Sequence, residues 1–257
     1  MNNLLSNTAS KTALLVATFL IAGTVLADGH TAIERALANE ARPEADRQRD
    51  ANRKQDQVLE FFGIQPDMKV IDIFAGGGYY AEILSYVVGI DGEVTLYNNG
   101  GWDGFVGAGV EERLTGNRLP NVQSIVMEAN ELVLEENHYD AAVFVLGFHD
   151  LYYEEASWPA IDADDFVARL YGLIKPGGVL GIVDHAAESG VSVDVANTLH
   201  RIDPGIIRSD LISAGFEFVA ESDVLRNRGD DRRKPMSDPS VRGKTDRVVM
   251  KFRKPAS

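Results

Sequence analysis

The 257 residues and a 45% apolar share allow one α/β domain with a real core and leave no room for a second large one. The chain has no cysteine, which excludes disulfides, thiolate catalysis and zinc–thiolate centres. Its formal charge of −14 argues against a nucleic-acid partner, because phosphate recognition needs clustered Lys and Arg. The first thirty residues, MNNLLSNTASKTALLVATFLIAGTVLADGH, carry one early base, Lys11, and then an apolar stretch from Ala13 to Ala27 that closes on Val25-Leu26-Ala27. That pattern predicts a signal peptide over 1–27, cleaved after Ala27, and hence export to the periplasm. The stretch is too short and interrupted for a membrane span, so no membrane contact is expected beyond it.

A single domain is expected over 28–257, opening with a helical cap at about 31–62. Within that cap a helix from about Glu44 to Phe62 is bounded by Pro43 and Gly63. Its Arg42, Arg47, Arg49 and Arg53 either contact an anionic ligand or form a solvated face laced with i,i+4 pairs. Lys69–Phe74 reads as a first strand, followed by three glycines and a helix over Tyr79–Val88, the start of a βαβ unit. Further strands are expected at Glu93–Tyr97, Val122–Met127, Asp140–Leu146 and Val179–Val183. Helices are expected around Glu111–Arg113 and over Asp162–Leu173, the latter stopped by Lys175-Pro176-Gly177-Gly178. A helix at Pro204–Ala214 and strands at Phe216–Glu221 and Arg247–Phe252 close the chain. Five strands alternating with helices, then two closing strands, predict one Rossmann-like, doubly wound, seven-stranded, mostly parallel sheet with an antiparallel last strand.

In such a sheet ligands sit beyond the carboxyl ends of the strands, and glycine after the first strand lets backbone approach them. A dinucleotide is not expected, because Ala75-Gly76-Gly77-Gly78-Tyr79-Tyr80-Ala81 does not supply G-x-G-x-x-G. The segment VIDIFAGGGYYAEILS instead resembles the first motif of class I S-adenosylmethionine-dependent methyltransferases. MEANELVLEENHYDAAVFV and LYGLIKPGGVLGIVD resemble that superfamily's passages into strands four and five. Within it the chain is similar to a group of exported methyltransferases marked here by RPEADRQRDANRK, HDLYY, VDHAA, HRID and RGKTDR. The resemblance covers about Gln57 to Lys254. It implies S-adenosylmethionine as cofactor, with Asp72 under the methionine portion and Ala75, Gly76, Gly77 and Gly78 forming the turn around it. It puts Asn98 at the ribose and Glu128-Ala129 at the adenine. Two residues depart from the pattern: Phe74 replaces the first glycine, and Asn98 replaces an acidic residue that would make stronger charge-assisted bonds.

Methyl transfer needs a positioned acceptor, and a hydroxyl acceptor needs a base or a metal. His149-Asp150 after strand four and Asp184-His185 after strand five can face one pocket, with His200 and Asp203 nearby. The expected catalytic residues are His149, Asp150 and His185, with a histidine as base. Asp150 and Asp184 could alternatively hold a divalent metal, as in some small-molecule O-methyltransferases, or all of these could be turn formers and caps. Tyr79, Tyr80, Tyr152, Tyr153 and Trp158 could line the substrate pocket. The loop from Arg226 to Lys244 carries seven basic residues against three acids and, as a lid, would favour an anionic substrate. The expected function is methyl transfer to a small, anionic molecule. The second reading is a non-catalytic, degenerate ligand-binding protein on the same fold. Hydrolysis at a metal is a third, but no H-x-x-x-H spacing supports it.

Overall fold

Near-continuous apolar runs in the central strands build a sheet whose middle is buried on both faces. The computed structural model describes residues 28–256, so the expected signal peptide lies outside the described residues. The strands are β1 (Lys69–Ile73), β2 (Glu93–Asn98), β3 (Val122–Val126), β4 (Tyr139–Val145), β5 (Ile174–His185), β6 (Glu217–Ser222) and β7 (Arg247–Arg253). Their order is β3-β2-β1-β4-β5-β7-β6. The first five are parallel, and β7 runs antiparallel between β5 and β6. This is the expected class I methyltransferase fold.

The helices are α1 (28–37), α2 (Glu44–Arg53), α3 (Gln55–Phe62), α4 (Tyr79–Val88), α5 (Asp103–Leu114), α6 (Ala163–Leu173), α7 (Val195–Leu199) and α8 (Pro204–Ser213). Ile33, Leu59, Phe62, Leu84 and Val110 from α1, α3, α4 and α5 pack on Val70, Val94, Val143 and Val249. On the other face Phe166, Leu170, Ile207 and Leu211 from α6 and α8 pack on Ile71, Ile73, Phe144 and Phe252. Among the described residues no helix is long and apolar enough to cross a membrane.

Three elements differ from expectation. The helix expected over Glu44–Phe62 breaks at Lys54, whose φ of 44° is left-handed. The break turns Val58, Leu59 and Phe62 into the core while α2 stays at the surface with Asp46 as its one buried residue. Phe62 then lies on Gly181 of β5, where a Cβ would come within 2.4 Å of its ring. The helix expected around Glu111–Arg113 begins at Asp103. The Lys175-Pro176-Gly177-Gly178 turn runs inside β5 as a bulge, with Tyr139 opposite Ile174 and Ala141 opposite Val179.

Candidate active site

The chain leaves β1 through three left-handed residues, Phe74 (φ 50°), Gly76 (φ 58°) and Gly78 (φ 79°). For phenylalanine that conformation costs about 1–2 kcal/mol. The Phe74 ring offsets it by packing with Phe144, Trp158, Phe166 and Tyr97 at centroid distances of 5.3–5.7 Å. Gly78 caps α4, and a Cβ there would fall 2.8 Å from Leu96 and 3.0 Å from Arg113. Arg113 of α5 holds the turn: its Nε donates to the Gly77 carbonyl at 2.6 Å, and its guanidinium pairs with Asp46 at 2.9 Å and with Glu82. Arg118 pairs with the same Glu82 at 2.6 Å.

Over this turn opens a cavity of about 210 Å³ whose floor is Asp72, Ala75, Gly76 and Gly77. Arg49, Arg53, Tyr79, Tyr80, Trp102, Arg113 and Leu146 also line it. Asp72 is 2% exposed and its Oδ2 has no hydrogen-bond partner. Burial pushes its carboxyl up to about 7, against the opposing pull of the Ala81 N–H, Arg53 and Arg113. The Arg53 and Arg49 guanidinium groups stand 4.3 and 4.9 Å from the Tyr79 ring centroid. The Tyr79 hydroxyl donates to Asp50 at 2.6 Å, and Asp50 holds Arg42 through two bonds of 2.8 Å. Within the arginine run Arg42 and Arg47 serve the cap itself, while Arg53 and Arg49, the latter also paired with Asp46, line the cavity.

The residues expected around the adenosine lie outside the lining of this cavity. Asn98 is buried with both ends of its amide on Gly76, accepting from its N–H at 2.8 Å and donating to its carbonyl at 2.9 Å. It borders a separate cavity of about 430 Å³ between α5 and β3, lined by Asp103, Val110, Leu114 and Val126. Glu128 is exposed and lies against Gly100, and the Ala129 N–H donates to Asn99 Oδ1 at 2.7 Å. Neither residue borders the turn cavity.

At the ends of β4 and β5 a second cavity of about 310 Å³ shares Trp102 and Leu146 with the first. Its other walls include His149, Asp150, Tyr153, Trp158, His200 and Met236. His149 is 2% exposed: its Nδ1 lies 2.7 Å from Asp184 Oδ1, and its Nε2 lies 3.3 Å from Asp150 Oδ1. Burial disfavours its charge, but Asp150 and Asp184 outweigh burial and push its pKa up to about 9. The two carboxylates therefore favour the charged form of His149. Asp184 is fully buried; burial is outweighed by His149, which holds its carboxyl below the ordinary range. Its oxygens also accept the backbone N–H groups of His149 at 2.9 Å and His185 at 2.6 Å. His185 lies behind the cavity, its Nδ1 2.6 Å from the Thr245 hydroxyl, and burial pushes it down to about 3. Asp203 caps α8 through the Gly205 N–H at 2.8 Å.

Four of the seven basic side chains in the loop have partners, most of them outside it. Arg226 and Arg232 hold Asp246 at 2.9 and 2.7 Å, Arg233 holds Glu188 at 2.8 Å, and Lys234 donates to Ser240 at 2.9 Å. The fully buried Arg201 grips Asp230 of that loop at 2.8 and 3.1 Å. What the loop brings to the cavity wall is Met236, whose N–H donates to the Leu199 carbonyl at 2.9 Å. Sequence reasoning missed Met236, Trp102 and the turn-holding Arg113. Trp102 carried a signal, since it follows the glycine pair that ends β2. Arg113 and Met236 carried none.

No protein-family model matches the chain. It is 29% identical over 127 residues to the ubiquinone/menaquinone biosynthesis C-methyltransferase UbiE of Shewanella piezotolerans, across 49% of this chain and 46% of that protein. The UbiE protein of Teredinibacter turnerae is 23% identical over 168 residues, covering 64% of this chain and 63% of that one. The chain thus spans about half the length of the Shewanella relative. Among solved structures, a S-adenosylmethionine-dependent methyltransferase from Aquifex aeolicus superposes with TM-score 0.56 at 21% identity, over 80% of this chain and 97% of that one. The [4+2]-cyclase SpnF superposes with TM-score 0.57 at 18% identity, over 86% of both chains. The chain thus has the fold of class I S-adenosylmethionine-dependent methyltransferases and is similar in sequence to the UbiE proteins.

Proposed function

We propose that the protein is an exported S-adenosylmethionine-dependent methyltransferase, with the methionine end of the cofactor over the glycine turn and a small acceptor beside His149. The observation that carries this reading is the unpartnered Oδ2 of Asp72 in a cavity that Arg49 and Arg53 also line. An α-amino acid fits that pair of charges, its ammonium toward Asp72 and its carboxylate toward the arginines. When bound, the cofactor supplies an electrophilic methyl on a sulfonium. Trp102 and Leu146, common to both cavities, mark where donor and acceptor spaces meet. Asp150, with Oδ1 toward His149 and His200, is the group suited to take the acceptor's proton, and His149 supplies positive charge beside it. An anionic acceptor is supported by the seven basic residues of the loop 226–244. Export rests on the leader pattern at 1–27.

A second reading is favoured by Asn98 and Phe74. With the Asn98 amide already on Gly76 and an aromatic ring replacing the first glycine, the fold could serve a non-catalytic ligand-binding protein. The [4+2]-cyclase with this fold illustrates that fold alone does not fix chemistry. Thermal unfolding with millimolar S-adenosylmethionine or S-adenosylhomocysteine separates the readings. A ligand at a hundred times its Kd stabilises by about 2.7 kcal/mol. We expect a clear rise in Tm that Arg53→Ala removes and Arg53→Lys partly keeps. No rise with either nucleoside would leave the second reading.

A further inference from the structure

We propose that His149, Asp150 and His200 form a binding site for one divalent transition-metal ion, zinc in the first instance, on the wall of the second cavity. The inference goes beyond the methyltransferase reading and does not depend on it; an ion bound there displaces the His149 proton and occupies Asp150, so the roles given to these two side chains above belong to the metal-free protein. Asp150 Oδ1 lies between two imidazoles, 3.3 Å from His149 Nε2 and 3.8 Å from His200 Nδ1. Direct charge-assisted hydrogen bonds would be about 2.7–2.9 Å, so the three groups converge without closing on one another. Ligand atoms around a tetrahedral zinc, each at about 2.0–2.1 Å from it, stand about 3.4 Å apart. All three donor atoms lie within 4.8 Å of one another.

The surroundings fit a metal better than an isolated ion pair. His149 Nδ1 is 2.7 Å from the fully buried Asp184, which fixes the ring so that Nε2 faces Asp150. A carboxylate behind a ligating histidine is the usual way its tautomer and orientation are set. Asp150 is held from its own backbone, its carbonyl accepting the Trp158 indole N–H at 3.0 Å. His200 adopts a left-handed φ of 48° at the end of α7, and its ring packs on Tyr153 at 4.6 Å. The three ligands come from one short segment after β4 and one turn after α7, and all three line the cavity. Three protein ligands facing a cavity leave a coordination position for an oxygen-bearing ligand, as in catalytic rather than structural zinc sites.

The test is calorimetric titration of the untagged protein, stripped with chelator, with Zn²⁺ alone and no nucleoside present. The expected result is one ion per chain, bound at least about tenfold more weakly by His200→Ala and by Asp150→Asn. Asp184→Asn, which touches no metal, should weaken binding about 10–100-fold. Co²⁺ substitution adds a spectroscopic readout: a tetrahedral d–d band that His200→Ala abolishes. The His200 side chain is 34% exposed, so its removal is expected to leave Tm of the metal-free protein unchanged even if a buried variant fails to fold. Absence of binding at millimolar zinc, or binding that His200→Ala does not weaken, overturns the site. Neither result bears on the nucleoside experiment, and failure of that experiment leaves this site standing.

Discussion

Asp72 sits at the base of the glycine turn with one oxygen unpartnered, and its burial links the stability of the fold to pH. Its carboxyl titrates near 7 in the fold and near 3.9 in the unfolded chain. The charged form is therefore disfavoured by folding, and stability falls as pH rises from about 4 through about 7. At about 1.4 kcal/mol per pKa unit the loss is at most on the order of 4 kcal/mol. Asp72→Asn should remove it: urea unfolding is expected to show the variant gaining on the parent between pH 4 and pH 7.5 in the absence of ligand. A parallel pH profile for the two proteins would show that Asp72 has a partner. At this scale the sequence was partly legible. An acidic residue before a glycine turn announces itself, and so does a histidine–aspartate pair at a strand end. The task of Asn98 did not, because an amide that bonds a ribose and an amide that bonds Gly76 are the same letter in the same place. The protonation of His149 was equally hidden, since it depends on Asp184, which lies 35 residues away and is 2.7 Å distant.

Among elements, the strands were readable because each is a short apolar run with turn residues on either side, and their boundaries moved by only a residue or two. The exception is β5, where Pro176 and the two glycines bulge out and the pairing resumes beyond them. The break at Lys54 had no signal, because lysine gives none of the warning that glycine or proline would. Tertiary packing decides it: α3 must turn to bring Phe62 onto Gly181. That contact can be tested. Gly181→Ala places a methyl within 2.4 Å of the ring and should cost about 1–3 kcal/mol by overpacking, measured as a fall in denaturation midpoint. Combining it with Phe62→Leu should recover part of the loss, since the two sites share one contact. Additive losses would mean that the cap does not press on β5.

For the molecule as a whole, the fold was legible down to the antiparallel last strand because alternation of strand and helix leaves few topologies open. The division of the site was not. Two cavities meet at the edge of the sheet, and the residues that part them, Trp102 and Leu146, come from the ends of β2 and β4, which only the folded sheet brings near each other. The chain contains two tryptophans, and both stand there: Trp102 in the shared wall, and Trp158 at a centroid distance of 5.6 Å from it. All indole fluorescence of the protein thus originates at the candidate active site. The molecule carries its own optical gauge of occupancy, undiluted by other indoles when tryptophan alone is excited. Filling either cavity should shift or quench that emission, and Trp102→Phe should blunt the response to both ligands while leaving a signal from Trp158.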